Sequence, residues 1–246
     1  MQKLIRSMLF SLTAAAFVTP AHAHHIWIEQ DAKEARFHFG EFGDNLREVS
    51  PGRLDRFEQP SATLATSKGD QKLSVTKCGD AFALSARAGK GEALLIEDTR
   101  TPFIEKREGE KVVRTLWVPA ARYVSDFNAQ SPKLTLDIVP TGKSEGGEHE
   151  AQVYYKTQPL PKAKVVVTTT SGWTREYRAD EQGRFSFNAP WRGTYVIEVR
   201  HLDNAPGERP GGNEAYDSAS YVTSLSFVQA KGLAALPATP KTEPKQ

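Results

Sequence analysis

PLPKAKVVVTTTSGWTREYRADEQGRFSFNAPWRGTYVIEVRHL, residues 159 to 202, is a succession of short apolar or alternating runs separated by turn residues. Val165 to Val167 and Tyr195 to Val199 carry the β-branched and aromatic side chains that suit a pleated, half-buried surface. Phe185 and Phe187 alternate with polar neighbours, as one inward face of a strand requires. Asp180-Glu181-Gln182-Gly183 supplies a tight turn, in which Gly183 can adopt the left-handed backbone that other residues resist. The stretch therefore predicts strands over Ala163–Thr170, Trp173–Ala179, Arg184–Asn188 and Thr194–Leu202. With a closing run over Ser218–Val228, it makes one β unit.

The same pattern extends backward along the chain. Runs at Ala35–Phe39, Ala62–Thr66, Gln71–Lys77, Ala81–Ala86, Glu92–Asp98 and Val112–Val118 are punctuated by Ser67 to Asp70, Cys78 to Asp80 and Ala88 to Gly91, the signature of an all-β sandwich or barrel. No stretch has the periodicity of an amphipathic helix. The segments Gly40 to Pro60 and Arg100 to Lys111 read as long loops. The Gly-rich, charged Thr141 to His149 reads as a linker after an apolar strand over Leu134–Val139. The expectation is an all-β chain of two β-sandwich domains, Ig-like or transthyretin-like, at 24–140 and 150–230, joined by 141–149 and followed by a flexible Pro/Ala/Thr/Lys tail at 231–246.

The first 23 residues have a different character. Lys3 and Arg6 precede an apolar run from Met8 to Val18, and Ala21-His22-Ala23 is a small-x-small cleavage signature, so a signal peptide removed after Ala23 is expected, with export to the periplasm. The apolar run is short for a bilayer span, which takes roughly 20 residues. Cleavage removes two cations and no acid, so the formal charge of +2 falls to zero. That balance argues against nucleic acid or an anionic membrane surface as partner. Cys78 is the single cysteine, which excludes an intramolecular disulfide. Zinc-finger spacing, H-E-x-x-H, a phosphate-binding Gly-rich loop and the G-x-S-x-G elbow are all missing, so no catalytic set is expected.

Cleavage after Ala23 would make His24 the first residue. Its α-amine and its own Nδ1 could then close a chelate ring on one ion, and nickel, cobalt, copper and zinc accept such nitrogen donors. Proton competition is mild near neutrality, with reference values of about 6.5 for imidazole and about 8 for the amine. His25 adds a nitrogen. If 25–29 is a strand, His25 and Trp27 share one face while Ile26 and Ile28 share the other. His201, ending the strand Thr194–Leu202, is the candidate closing ligand, although alternation puts it with Tyr195, Ile197 and Val199 on the apolar face. His38 reads as a solvated surface residue, His149 as a solvated linker residue, and His22 leaves with the signal.

Residues 159 to 202 resemble the carboxypeptidase-regulatory-like, transthyretin-like β-sandwich, through the D-x-x-G-x-F turn from Asp180 to Phe185 and the Gly193-Thr194-Tyr195 strand start. More broadly, the export signal, His24-His25-Ile26-Trp27-Ile28, the joint Leu136 to Gly142 and the close Tyr221 to Phe227 resemble the DUF4198 family over nearly the whole mature chain. In that family a His three residues before a Trp commonly opens the mature chain, as His24 and Trp27 do here. The resemblance implies a periplasmic component of nickel or cobalt uptake that binds a transition-metal ion and works with a membrane transporter component. Two other functions compete: an exported structural or interaction sandwich without metal, and a copper-dependent oxidative enzyme of the polysaccharide-cleaving kind. The last would need an exposed aromatic surface, for which Trp173, Trp191 and Tyr177 are the candidates.

Overall fold

A computed structural model describes residues 24–244. The proposed signal sequence lies outside the described residues. The chain is all-β, and among the described residues the helical turns are two short 3-10 turns, Phe42–Asp44 and Arg53–Arg56.

A nine-stranded sheet forms the middle layer. Its strands run in the order Thr174–Arg178, Lys164–Thr169, Gly193–Asp203, Ser218–Gln229, Lys111–Val124, Ala93–Glu97, Ser61–Thr66 and Gly69–Leu73, with Ile104–Glu108 also paired to Lys111–Val124. Neighbours are antiparallel except at the centre, where Lys111–Val124 and Ser218–Gln229 pair in parallel from Thr115 opposite Ser218 to Tyr123 opposite Ser226. This pair carries the hydrogen-bonded sheet unbroken from the N-terminal half to the C-terminal half.

Alternation makes both faces of that sheet apolar, so both need a cover. Leu94, Ile96, Ala121, Tyr123 and Val222 face Ile26, Ile28, Phe37 and Phe39 of a five-stranded sheet containing His25–Gln30, Ala35–Glu41, Leu46–Arg47, Val75–Lys77 and Phe82–Leu84. Leu95, Val118, Val167, Ile197, Leu225 and Phe227 face Ile138, Val153, Phe185 and Phe187 of a four-stranded sheet containing Leu136–Glu145, Glu148–Tyr155, Gln158–Pro159 and Arg184–Asn188. One buried ion pair lies in this second interface: Arg122 donates from Nε and Nη2 to Asp137 at 2.9 and 2.6 Å.

Several expectations need correction. The stretch 141–149 is not a linker but the end of a hairpin, Leu136–Glu145 with Glu148–Tyr155, turning at Gly146 (φ 60°) and Gly147 (φ 87°). A Gly pair is also the preferred chemistry of a two-residue hairpin turn, where both central residues need positive φ. The segment after 231, expected to be flexible, is tied back through Leu233 beside Trp191, Thr239 N–H to the Thr170 carbonyl (2.9 Å) and Thr239 Oγ1 to the Gly43 carbonyl (2.8 Å). Within the expected loops, Ile104–Glu108 pairs with Lys111–Thr115, and Leu46–Arg47 pairs with Gly40 and Glu41.

Candidate metal centre

The first strand, His25–Gln30, is held on both sides. Ile26 and Ile28 enter the large core, and Trp27 packs on the other side against Phe42 and Val196. The alternation expected for this strand is present, but both faces are buried. His24 precedes the strand by one residue and rests on Phe39, with ring centroids 5.0 Å apart.

The His24 imidazole meets carboxylates at both nitrogens. Nε2 is hydrogen-bonded to Oε1 of Glu48, whose side chain is 4% exposed. A carboxylate only accepts, so in the neutral ring that donates Nε2–H to Glu48 the lone pair is on Nδ1. Glu41 Oε1 lies 3.9 Å from that Nδ1. Arg53 Nη1 comes within 3.1 Å of His24 Nε2 and within 3.6 Å of Glu48, countering the buried negative charge. The backbone is tied as well, since Arg200 Nη2 donates to the His24 carbonyl at 3.3 Å.

His25 points to the neighbouring strand Gly193–Asp203, where its Nε2 is 3.5 Å from Glu198 Oε2. Arg200 Nε donates to the other oxygen of Glu198 at 2.7 Å. These groups border a cleft of about 400 Å³ whose rim also includes Glu41 and Asp44. Glu41 thus belongs both to the His24 surroundings and to the His25 cleft.

His201 does not join them. Glu198 and Arg200 face the His24 and His25 side, so Ile197, Val199 and His201 face the opposite layer, and His201 packs on Tyr155 with ring centroids 4.4 Å apart. Burial pushes its imidazole below the usual histidine range, with Asp203 opposing. The apolar-face alternative is the one realised.

Two other histidines are buried where solvated ones were expected. His38 stacks on Trp27 at 5.4 Å, and His149 stacks on Phe127 at 4.3 Å with Ser144 Oγ 2.7 Å from its Nδ1. His38 sits on a strand packed on two sides, so simple alternation misjudged it, whereas His149, read from its Gly-rich and acidic surroundings, lies on Glu148–Tyr155 in step with the core residues Ala151 and Val153. Trp173 and Trp191 pack edge to face at 5.2 Å and are half-buried, which leaves no flat aromatic platform at that pair.

Sequence reading missed Glu41, Glu48 and Glu198. Glu198 had a signal, as the one acid inside the apolar run Tyr195 to Val199. Glu41 and Glu48 lie in a stretch read as loop, where acids are ordinary. Among the described residues, no three His, Cys, Asp or Glu side chains form a ready cage for a metal ion. A site here would use His24 Nδ1 and one or two of the surrounding groups, joined by the α-amine if the chain is cut after Ala23. That donor set suits a borderline divalent ion.

The fold and this geometry define an all-β sandwich protein whose first strand brings two adjacent histidines to buried carboxylates. The chain belongs to the family described as domain of unknown function DUF4198, whose model matches residues 21–203. The match stops before Ser218–Gln229, although that strand pairs with both Gly193–Asp203 and Lys111–Val124. No curated protein matches the sequence.

Proposed function

We propose that this protein is an exported, periplasmic metal-binding protein that holds a transition-metal ion at its mature N-terminus and presents it to a membrane transporter component. Nickel and cobalt are the preferred cargo, and copper is the rival that the same donors accept. The observation that carries this reading is Glu48. Histidines that ligate metals characteristically donate their other ring N–H to a carboxylate or carbonyl, which fixes the tautomer and raises ligand basicity. Glu48 does this to His24 Nε2 and leaves free Nδ1, the ring nitrogen that can close a chelate with the α-amine of the same residue. The Glu41 carboxylate beside Nδ1 supplies negative charge for a bound cation.

The test is to isolate the protein with its native N-terminus, measure its affinity for Ni²⁺, Co²⁺ and Cu²⁺, and repeat with one residue added before His24. The added residue turns the amine into an amide and should weaken binding of the tight ion at least tenfold. Equal affinity in the two forms would overturn the chelating-terminus reading.

A further inference from the structure

A second histidine–carboxylate pair lies at the far end of the same strand face. His25, Trp27 and Glu29 alternate on one side of His25–Gln30, and His38 stacks on Trp27 from the adjacent strand. His38 Nδ1 is 3.3 Å from the Asp80 carbonyl, and in the tautomer that donates Nδ1–H to this acceptor Nε2 presents its lone pair. What Nε2 faces is Glu29 Oε2, at 3.5 Å. In that tautomer two acceptors face each other.

The lone pairs of Glu29 can be counted. Oε1 accepts from Trp27 Nε1 (3.1 Å) and Arg47 Nη2 (2.8 Å), and Oε2 accepts from Arg47 Nη2 (3.0 Å). A carboxylate offers about four acceptor positions, which leaves one on Oε2, the oxygen turned toward His38. Metal–nitrogen and metal–oxygen bonds of about 2.1 Å at a tetrahedral angle separate the two donor atoms by about 3.4 Å. The observed 3.5 Å is that separation. Both groups line a cleft of about 570 Å³ in which Glu29, Asp31, Glu34 and Asp80 outnumber Arg36 and Arg47.

We propose that His38 Nε2 and Glu29 Oε2 form a second, open binding site for a divalent transition-metal ion, separate from His24. The Asp80 carbonyl on Nδ1 plays for His38 the orienting part that Glu48 plays for His24. With two protein donors, the remaining coordination positions go to water, and binding is weaker than at the chelating terminus. This site does not depend on where the signal is cut.

The experiment uses the full mature chain carrying one extra residue before His24, so that the terminal chelate is blocked. Equilibrium dialysis against Zn²⁺, with Co²⁺ absorption as a second readout, should find one ion bound. His38→Phe, which keeps an aromatic ring on Trp27, and Glu29→Gln should each lower that affinity at least tenfold. In the blocked protein with native His38 and Glu29, Zn²⁺ should also shift the NMR signals of the His38 ring and the Trp27 indole N–H, a readout that needs no variant to fold. No ion bound by the blocked protein, or Zn²⁺ binding that leaves those two signals unmoved, would overturn the proposal. Loss of binding between native and extended termini reports only on His24, so the two sites fail separately.

Discussion

Replacing Glu48 separates orientation of His24 from mere proximity of charge. Glu48 is buried, accepts from His24 Nε2 and lies 3.6 Å from Arg53. Loss of such an orienting partner costs typically 10- to 100-fold in metal affinity, about 1.4 to 2.8 kcal/mol. Glu48→Ala should lie toward the upper end, because the ring is then free to turn and Arg53 Nη1, 3.1 Å from Nε2, becomes its nearest polar neighbour. Glu48→Gln can still accept from Nε2 through its amide oxygen, but without the charge that roughly doubles such a bond, so it should lie near the lower end. Arg53 is half exposed and can rehydrate, so neither substitution strands a buried cation. The assay is competition for Ni²⁺ against a chelating dye at pH 7.5, with thermal unfolding as the control for folding. The same substitutions in the protein with a residue added before His24 complete the cycle: there they should change little, because the ligand being oriented is no longer part of a chelate. Native affinity in both folded variants, or equal losses in native and extended backgrounds, would refute the reasoning.

Asp137→Ala should destabilise the protein by about 3 to 5 kcal/mol, since it leaves the Arg122 charge buried and unpaired. At this chain size thermal unfolding should move down on the order of 10 °C, while Arg122→Met with Asp137→Leu should regain only part of that loss, because the Lys133 and Leu134 N–H groups that donate to Asp137 Oδ2 lose their acceptor. His149 is held below its usual range by burial, so the unfolded chain takes up its proton first. The corresponding stability is complete above about pH 6.5 and falls as pH drops through the folded-state value. His149→Phe, which keeps the stack on Phe127, should therefore narrow the gap between urea midpoints at pH 7.5 and pH 5, and an unchanged gap would count against it. Gly183→Ala should cost more than about 1 kcal/mol, read from urea unfolding. Gly183 has φ +74°, and an added Cβ would lie 2.7 Å from the Val153 carbonyl oxygen.

The all-β class and most strands were legible because the period of two and the turn residues are local signals. The layering was less so. Leu94 and Leu95 both read as apolar, but only the fold shows that they enter different cores. Gly146-Gly147 has the composition of a linker and of a hairpin turn alike, and pairing of Ser144 with His149 decides between them. His24 and His25 could be singled out from their place after the cleavage signature. Their partners could not, because Glu41, Glu48 and Glu198 come from separate segments that only the tertiary structure brings near. His201 shows the opposite case: its alternation with Ile197 and Val199 already pointed to the other face, and chemistry alone had made it attractive.

Trp27 links these separate observations. Its side chain is fully buried, stacked on His38, edge-on to Phe42 at 5.5 Å and covered by Arg47 at 5.7 Å. With Ile26 and Ile28 buried on the other side, three consecutive residues fix the strand that begins one residue after His24. A chain end ordinarily frays, and fixing one residue's backbone costs about 1 to 2 kcal/mol. Here burial of that triplet meets the cost for residues 26–28 during folding. The same ring separates His25 with Glu198 from His38 with Glu29, leaving one histidine–carboxylate pair at each end of the strand face. Trp27, three residues after His24, thus has a physical role of its own: it anchors the strand that contributes His25 and Glu29 to the two pairs.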